Sequence, residues 1–199
     1  MPDLSPQHSL ELVTAPVALP ISLAEAKSQL RVEHNDDDTI ISRLISVAVS
    51  YVDAQGALGA CMMTQTWGQW LAQKPGTVTL LLGPVQTVSA IKYYDTNNAL
   101  QTDTLSNYNV LGTKMRTLVA PKPGFNWPTA YQRDDAVKIE YACGYGGTAD
   151  SVPQNIRHAL MMLVAHFYEN REATQDGKLI SVPFGFDETL GQSRGHWYG

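Results

Sequence analysis

A helical period of apolar residues occurs on either side of the middle of this 199-residue chain and is missing from the middle itself. Ile40, Ile41, Leu44, Ile45, Ala48 and Val52 recur at steps of three and four, as do Ile156, Leu160, Leu163, Val164, Phe167 and Tyr168. Each stripe has to pack on something, so the two helices are expected to build one bundle. From about Met62 to Tyr145 the pattern is β instead. The expected class is therefore α+β: a helical bundle with an inserted antiparallel β-rich domain and extended N- and C-terminal arms.

The punctuation refines this layout. Residues 1–21 form an N-terminal arm, with prolines at 2, 6, 16 and 20 and no helical period. Ser22 and Glu25 have the spacing of a capping box, each side chain satisfying a backbone N–H that a helix start leaves open, and predict a helix from Leu23 to about Arg31. Asp36, Asp37 and Asp38 lie where the positive end of a second helix begins, which predicts a capping cluster and a helix running to Gly56. Residues 22–60 form the first part of the bundle and 61–147 the inserted domain. Within it, strands are expected at Thr77–Leu82, at Val88–Tyr94 returning as Ala99–Thr102, at Tyr108–Leu111 paired with Met115–Val119, and at Ala136–Tyr141, where Val137, Ile139 and Tyr141 share a face. Pro121–Pro128 is too rich in proline for a central strand and reads as a surface loop. The last helix lies in residues 148–176, opened by Ser151 as cap, Pro153 in the first turn and Gln154 completing a box. A glycine-punctuated tail follows at 177–199, carrying aromatic contact residues without a core of its own.

Charge and cysteine content narrow the function. The balance of 14 basic against 19 acidic residues gives a net charge of −5, which offers no global attraction to a phosphate backbone. No apolar run approaches the ~18 residues of a membrane span, and the start Met1–Leu4 has neither a basic region nor an apolar core, so neither membrane insertion nor export is expected. Cys61 and Cys143 have no metal-like spacing and read as two buried thiols in a reducing compartment.

Sites of chemistry are few. His158 and His166, with Glu169 one turn beyond, lack matching ligands on another helix. The Asp36–Asp38 run lacks the phase of a calcium loop. Gly144–Gly147 has neither the P-loop Lys nor the GxGxxG spacing, and reads as a tight strand-to-helix turn. No nucleophile elbow occurs, and Lys92, Lys114, Arg116 and Lys122 are too scattered to form a phosphate groove. No catalytic residue, cofactor or metal is expected.

Several phrases occur in a fixed order: Leu19–Val32, Asp37–Ala48, Leu80–Asp95 with its Pro84-Val85 break, Trp127-Pro128, Val137–Gly146, Val152–Leu160 and His166–Glu172. In this order they resemble the head-tail connector, or adaptor, proteins of tailed bacteriophages, including those of gene transfer agents. The resemblance implies a virion structural protein of the neck, made in the bacterial cytoplasm. It implies a homo-oligomeric ring, commonly a dodecamer, docked on the portal protein and joined to a downstream stopper or tail terminator. DNA would pass through its channel without sequence-specific binding. Neighbouring readings are another neck completion protein, a stopper or terminator, and more remotely a small enzyme. In similar proteins the C-terminal segment makes much of the portal contact, although here Leu190–Trp197 departs from the family pattern. The residues assigned to interfaces on this basis are Phe167, Tyr168, Arg171, Phe184, Phe186, Leu190, Arg194 and Trp197.

Overall fold

The computed structural model describes residues 9–72, 76–170 and 185–191. The chain divides into two compact units, a β unit from the described parts of Met1–Pro16 and Thr64–Gly144, and a helical unit from those of Val17–Met63 and Tyr145–Gly199.

In the helical unit, α1 (Leu23–Leu30) starts on the expected capping box: Ser22 Oγ accepts the Glu25 N–H and the Glu25 carboxylate accepts the Ser22 N–H. It stops at Arg31, whose left-handed backbone (φ 57°) turns the chain out of the helix. α2 (Asp38–Val52) and α3 (Gln154–Glu169) follow, and a single turn, α4 (Phe186–Gly191), closes the unit. Ile41, Ile45, Ala48 and Val52 of α2 interlock with Ile156, Leu160, Leu163 and Val164 of α3, all at most 1% exposed. Two expected caps are absent. Ser151 sits in a short 3-10 turn, leaving Pro153 at the N-cap of α3 without a side-chain acceptor. Asp37 caps α2 by position only: its carboxylate takes the Tyr168 hydroxyl, while Asp38 takes Lys27 at 2.6 Å. Tertiary partners have outbid the local backbone for these carboxylates.

The β unit contains two sheets. The strands β1 (Ser9–Thr14), β2 (Gln65–Leu71), β4 (Val85–Tyr94), β5 (Leu100–Asp103) and β8 (Val137–Cys143) form an antiparallel sheet in the order β1-β2-β8-β4-β5. The strands β3 (Val78–Thr79), β6 (Tyr108–Thr113) and β7 (Arg116–Pro121) form a second, in the order β3-β7-β6. The two expected hairpins pair as β4 with β5 and β6 with β7. The strand expected over Thr77–Leu82 shrinks to Val78–Thr79; Leu80 N–H still meets the Thr117 carbonyl at 2.9 Å, and side chains replace the ladder from Leu81 on. Gln69 Oε1 accepts the Leu81 N–H at 2.9 Å, and the Tyr141 hydroxyl accepts the Leu82 N–H at 3.2 Å. Within the expected arm, residues 9–14 are regular structure: Ser9–Thr14 pair with Trp70–Thr66 as the sheet's edge.

β8 is buried on both faces. Val137, Ile139 and Tyr141 share the apolar face as expected, and the opposite side carries Lys138 and Glu140, at 7% and 9% exposure. Those charges form a chain across the sheet: Glu11 to Lys138 at 3.0 Å, Lys138 to Glu140 at 3.1 Å and Glu140 to Lys92 at 2.8 Å. Gly68 of β2 lies beneath the Lys138 stem, and a Cβ there would stand 2.1 Å from Lys138 Cε. Lys138 reaches β1 because position 68 has no side chain.

Candidate functional site

The apolar arc of α2 is wider than its core contact requires. Ile41, Ile45, Ala48 and Val52 point into the bundle, while Ile40, Val47 and Tyr51, with half-buried Leu44 between them, form a second stripe about a quarter-turn away. Ile40, Val47 and Tyr51 are 37%, 48% and 46% exposed. Ile40 therefore leaves the core stripe in which the sequence places it. Apolar side chains aligned on one exposed helix face, with spacings of seven and four, are the arrangement a partner helix or sheet would cover. The sequence pattern contains this second stripe, but a single helical period merges it with the first.

α4 adjoins this stripe, the Phe186 ring standing 6.2 Å from that of Tyr51 at an inclination of 48°. Phe186 and Leu190 are 1% and 0% exposed and belong to the core of the helical unit. That corrects the view of the tail as lacking a core: its turn at 186–191 plugs the bundle, and these two side chains are covered by their own chain. Asn155 Nδ2 ties α3 to α4 through the Thr189 carbonyl at 3.2 Å.

Phe167 and Tyr168, at the end of α3, are half-buried against the same core. The Tyr168 hydroxyl donates to Asp37 and so fixes the start of α2 to the end of α3. Asn170 closes α3 by donating Nδ2 to the His166 carbonyl at 2.8 Å, and the His166 Nε2 is buried without a hydrogen-bond partner among the described residues. Arg171, Phe184, Arg194 and Trp197 lie outside the described residues.

Behind this surface a buried arginine fixes the unit's geometry. Arg157 of α3, 6% exposed, donates Nε to the Pro20 carbonyl at 3.2 Å, contacts the Glu25 carboxylate and reaches Asp150 at 3.5 Å. Glu25 is held below the ordinary carboxylate range, first by the Ser22 N–H and hydroxyl and then by the Arg157 charge. The entry to α1 is thus locked to α3 by one fork of donors.

Among the described residues no three His, Cys, Asp or Glu side chains converge as metal ligands, and His158 is exposed while His166 is half-buried. Cys61 and Cys143 are both buried thiols. Lys92 is engaged by Glu140, which removes it from any basic patch with Lys114, Arg116 and Lys122.

The profile of the family described as head completion protein matches residues 20–181. The chain belongs to the head completion protein family. Its fold is similar to chains in three solved structures of gene transfer agent particles. One, the neck of an empty gene transfer agent (GTA) particle computed with C6 symmetry, shares 20% identity at a TM-score of 0.76, over 94% of this chain and 95% of that one. A chain from the virion of the native GTA particle shares 22% identity at 0.74, over 93% and 94%. A chain from the native GTA neck computed with C12 symmetry shares 22% at 0.73, over 94% of both. Comparison with curated proteins finds no match. The family agrees with the connector resemblance drawn from the ordered phrases, and it is a family of structural proteins.

Proposed function

We propose that this head completion protein is the adaptor subunit of a particle neck. It forms a homo-oligomeric ring, twelve-fold in its simplest form, beneath the portal protein, joins it to the next neck or tail component, and leaves a channel through which DNA passes. The family match over residues 20–181 carries this reading. Its geometric support is the exposed Ile40, Val47, Tyr51 stripe on α2 of the helical unit. A closed ring requires two different complementary faces on each subunit, and an apolar stripe on α2 supplies one of them. The half-buried Phe167 and Tyr168 stand at the edge of the same bundle. Phe186 and Leu190 contribute indirectly, by holding α4 against Tyr51.

The charge fits the task. A subunit of net charge −5 gives the ring no excess of fixed cations to bind the DNA backbone, so passage is not slowed by salt-dependent adhesion. The protein would perform no catalysis, and its work would be done by shape and by contact.

Removal of the gene tests the reading. Heads made without the protein are expected to accumulate untailed, with tails free in the same lysate, and supplying the wild-type chain in trans should restore joined particles. Normal numbers of tailed particles without it would overturn the proposal.

A further inference from the structure

β1 is joined to its sheet in an unusual way. Five of its six residues are exposed, and Leu12 and Val13 are 45% and 42% exposed. The strand therefore adds little to the core of the β unit. It is held by its ladder to β2 and by one clasp, in which the Glu11 carboxylate accepts the Trp70 indole N–H at 2.8 Å and the Lys138 ammonium at 3.0 Å. The ammonium in turn lies 5.1 Å from the Trp70 ring centroid. Gly68, having no Cβ, leaves room for this clasp to close.

The connection from β1 to α1 has a second peculiarity. Residues 15–19 are almost entirely exposed, and Val17 and Leu19, at 95% and 46%, are apolar side chains that their own chain leaves in water. Pro16 and Pro20 stiffen the segment toward an extended course. The five residues from 15 to 19, ahead of buried Pro20 and Ile21, span up to about 17 Å when extended.

We propose that in the assembled ring β1 is exchanged, each subunit laying Ser9–Thr14 on the β2 edge of its neighbour. This inference rests on the ring reading above. Every contact of β1, ladder and clasp alike, is with residues present in each copy, so exchange preserves them all while the linker crosses between subunits. At that crossing Val17 and Leu19 gain a neighbour to cover them, which the isolated chain does not supply. The exposed hinge of residues 15–19 is short, and short hinge loops invite exchange.

The Cα partners Thr14 and Thr66 provide the test. Opposed residues on antiparallel strands stand within disulfide range. A Thr14→Cys, Thr66→Cys double variant is assembled on portal, oxidised and run on a denaturing gel without reductant, with the ring mass recorded beforehand by light scattering. Exchange predicts a ladder of covalent multimers containing most of the protein. It also predicts a cross-linked dimer when separate Thr14→Cys and Thr66→Cys chains are mixed before assembly. A ring of normal mass that runs as a monomer band, cross-linked internally or not at all, overturns the exchange and leaves the ring intact. A chain that stays monomeric beside portal overturns both.

Discussion

Arg157 makes three contacts that no lysine could reproduce, because only a fork of N–H groups reaches the Pro20 carbonyl and two carboxylates together. Arg157→Ala leaves the Pro20 carbonyl unsatisfied and should cost about 2–3 kcal/mol, read by urea denaturation. The carboxylates set the pH response. Hydrogen bonds lower Glu11, chiefly from Trp70, and Glu25, chiefly from Ser22; burial pushes Glu140 up, but bonds from Lys92 and Lys138 more than offset this. A carboxylate held lower in the fold than in the unfolded chain contributes stability that is complete above its ordinary value of 4.5 and is lost as pH falls through the lower folded value. Thermal melts should therefore hold level near neutrality and drop below about pH 4.5, and Glu25→Gln should flatten that drop. At this scale the sequence was legible where a side chain serves its own backbone, as with Ser22 and Glu25. It was silent where a distant partner intervenes, since nothing local tells Asp37 to meet Tyr168 or leaves Ser151 without its capping role.

On the proposed reading, α2 separates folding from assembly on two faces of one helix. Ile45 is 1% exposed, and Ile45→Ala should cost about 2–5 kcal/mol by emptying the bundle core. Val47→Ser on the outer stripe should change stability by no more than about 0.5 kcal/mol while sharply lowering recovery of portal-bound complexes; unchanged recovery would remove the stripe from the interface. Phe167→Ala is expected to lower assembly as well, with some loss of stability because its ring also packs on the core. In the sheet, Gly68→Ala should push the Lys138 ammonium off Glu11 and speed hydrogen exchange of the β1 amides about tenfold, with β8 unaffected. The three long helices and both hairpins announced themselves through period and turn residues. β2 did not: all but two of its seven residues are buried, so no alternation marks it, and Gly68 and Gln69 disguise it further. β1 was hidden by the prolines around it, and α4 is too short to establish a period.

For the whole molecule, the proposed assembly contacts fall on both compact units, the α2 stripe on the helical one and the edge strand β1 on the β one. The ordered phrases along the chain indicated the connector family because they record order rather than chemistry, and the family profile spans the same region, residues 20–181. Interface residues were harder to read. A contact side chain and a core side chain have the same apolar identity, which is why Phe186 and Leu190 looked like tail contacts until the fold enclosed them. The central claim is that this chain is a subunit of a neck ring, and the most direct measurement is its mass by multi-angle light scattering, alone and mixed with its cognate portal. The account predicts a complex of fixed stoichiometry with the portal, one adaptor ring to each portal ring. Unchanged elution of both proteins at every salt concentration would contradict it.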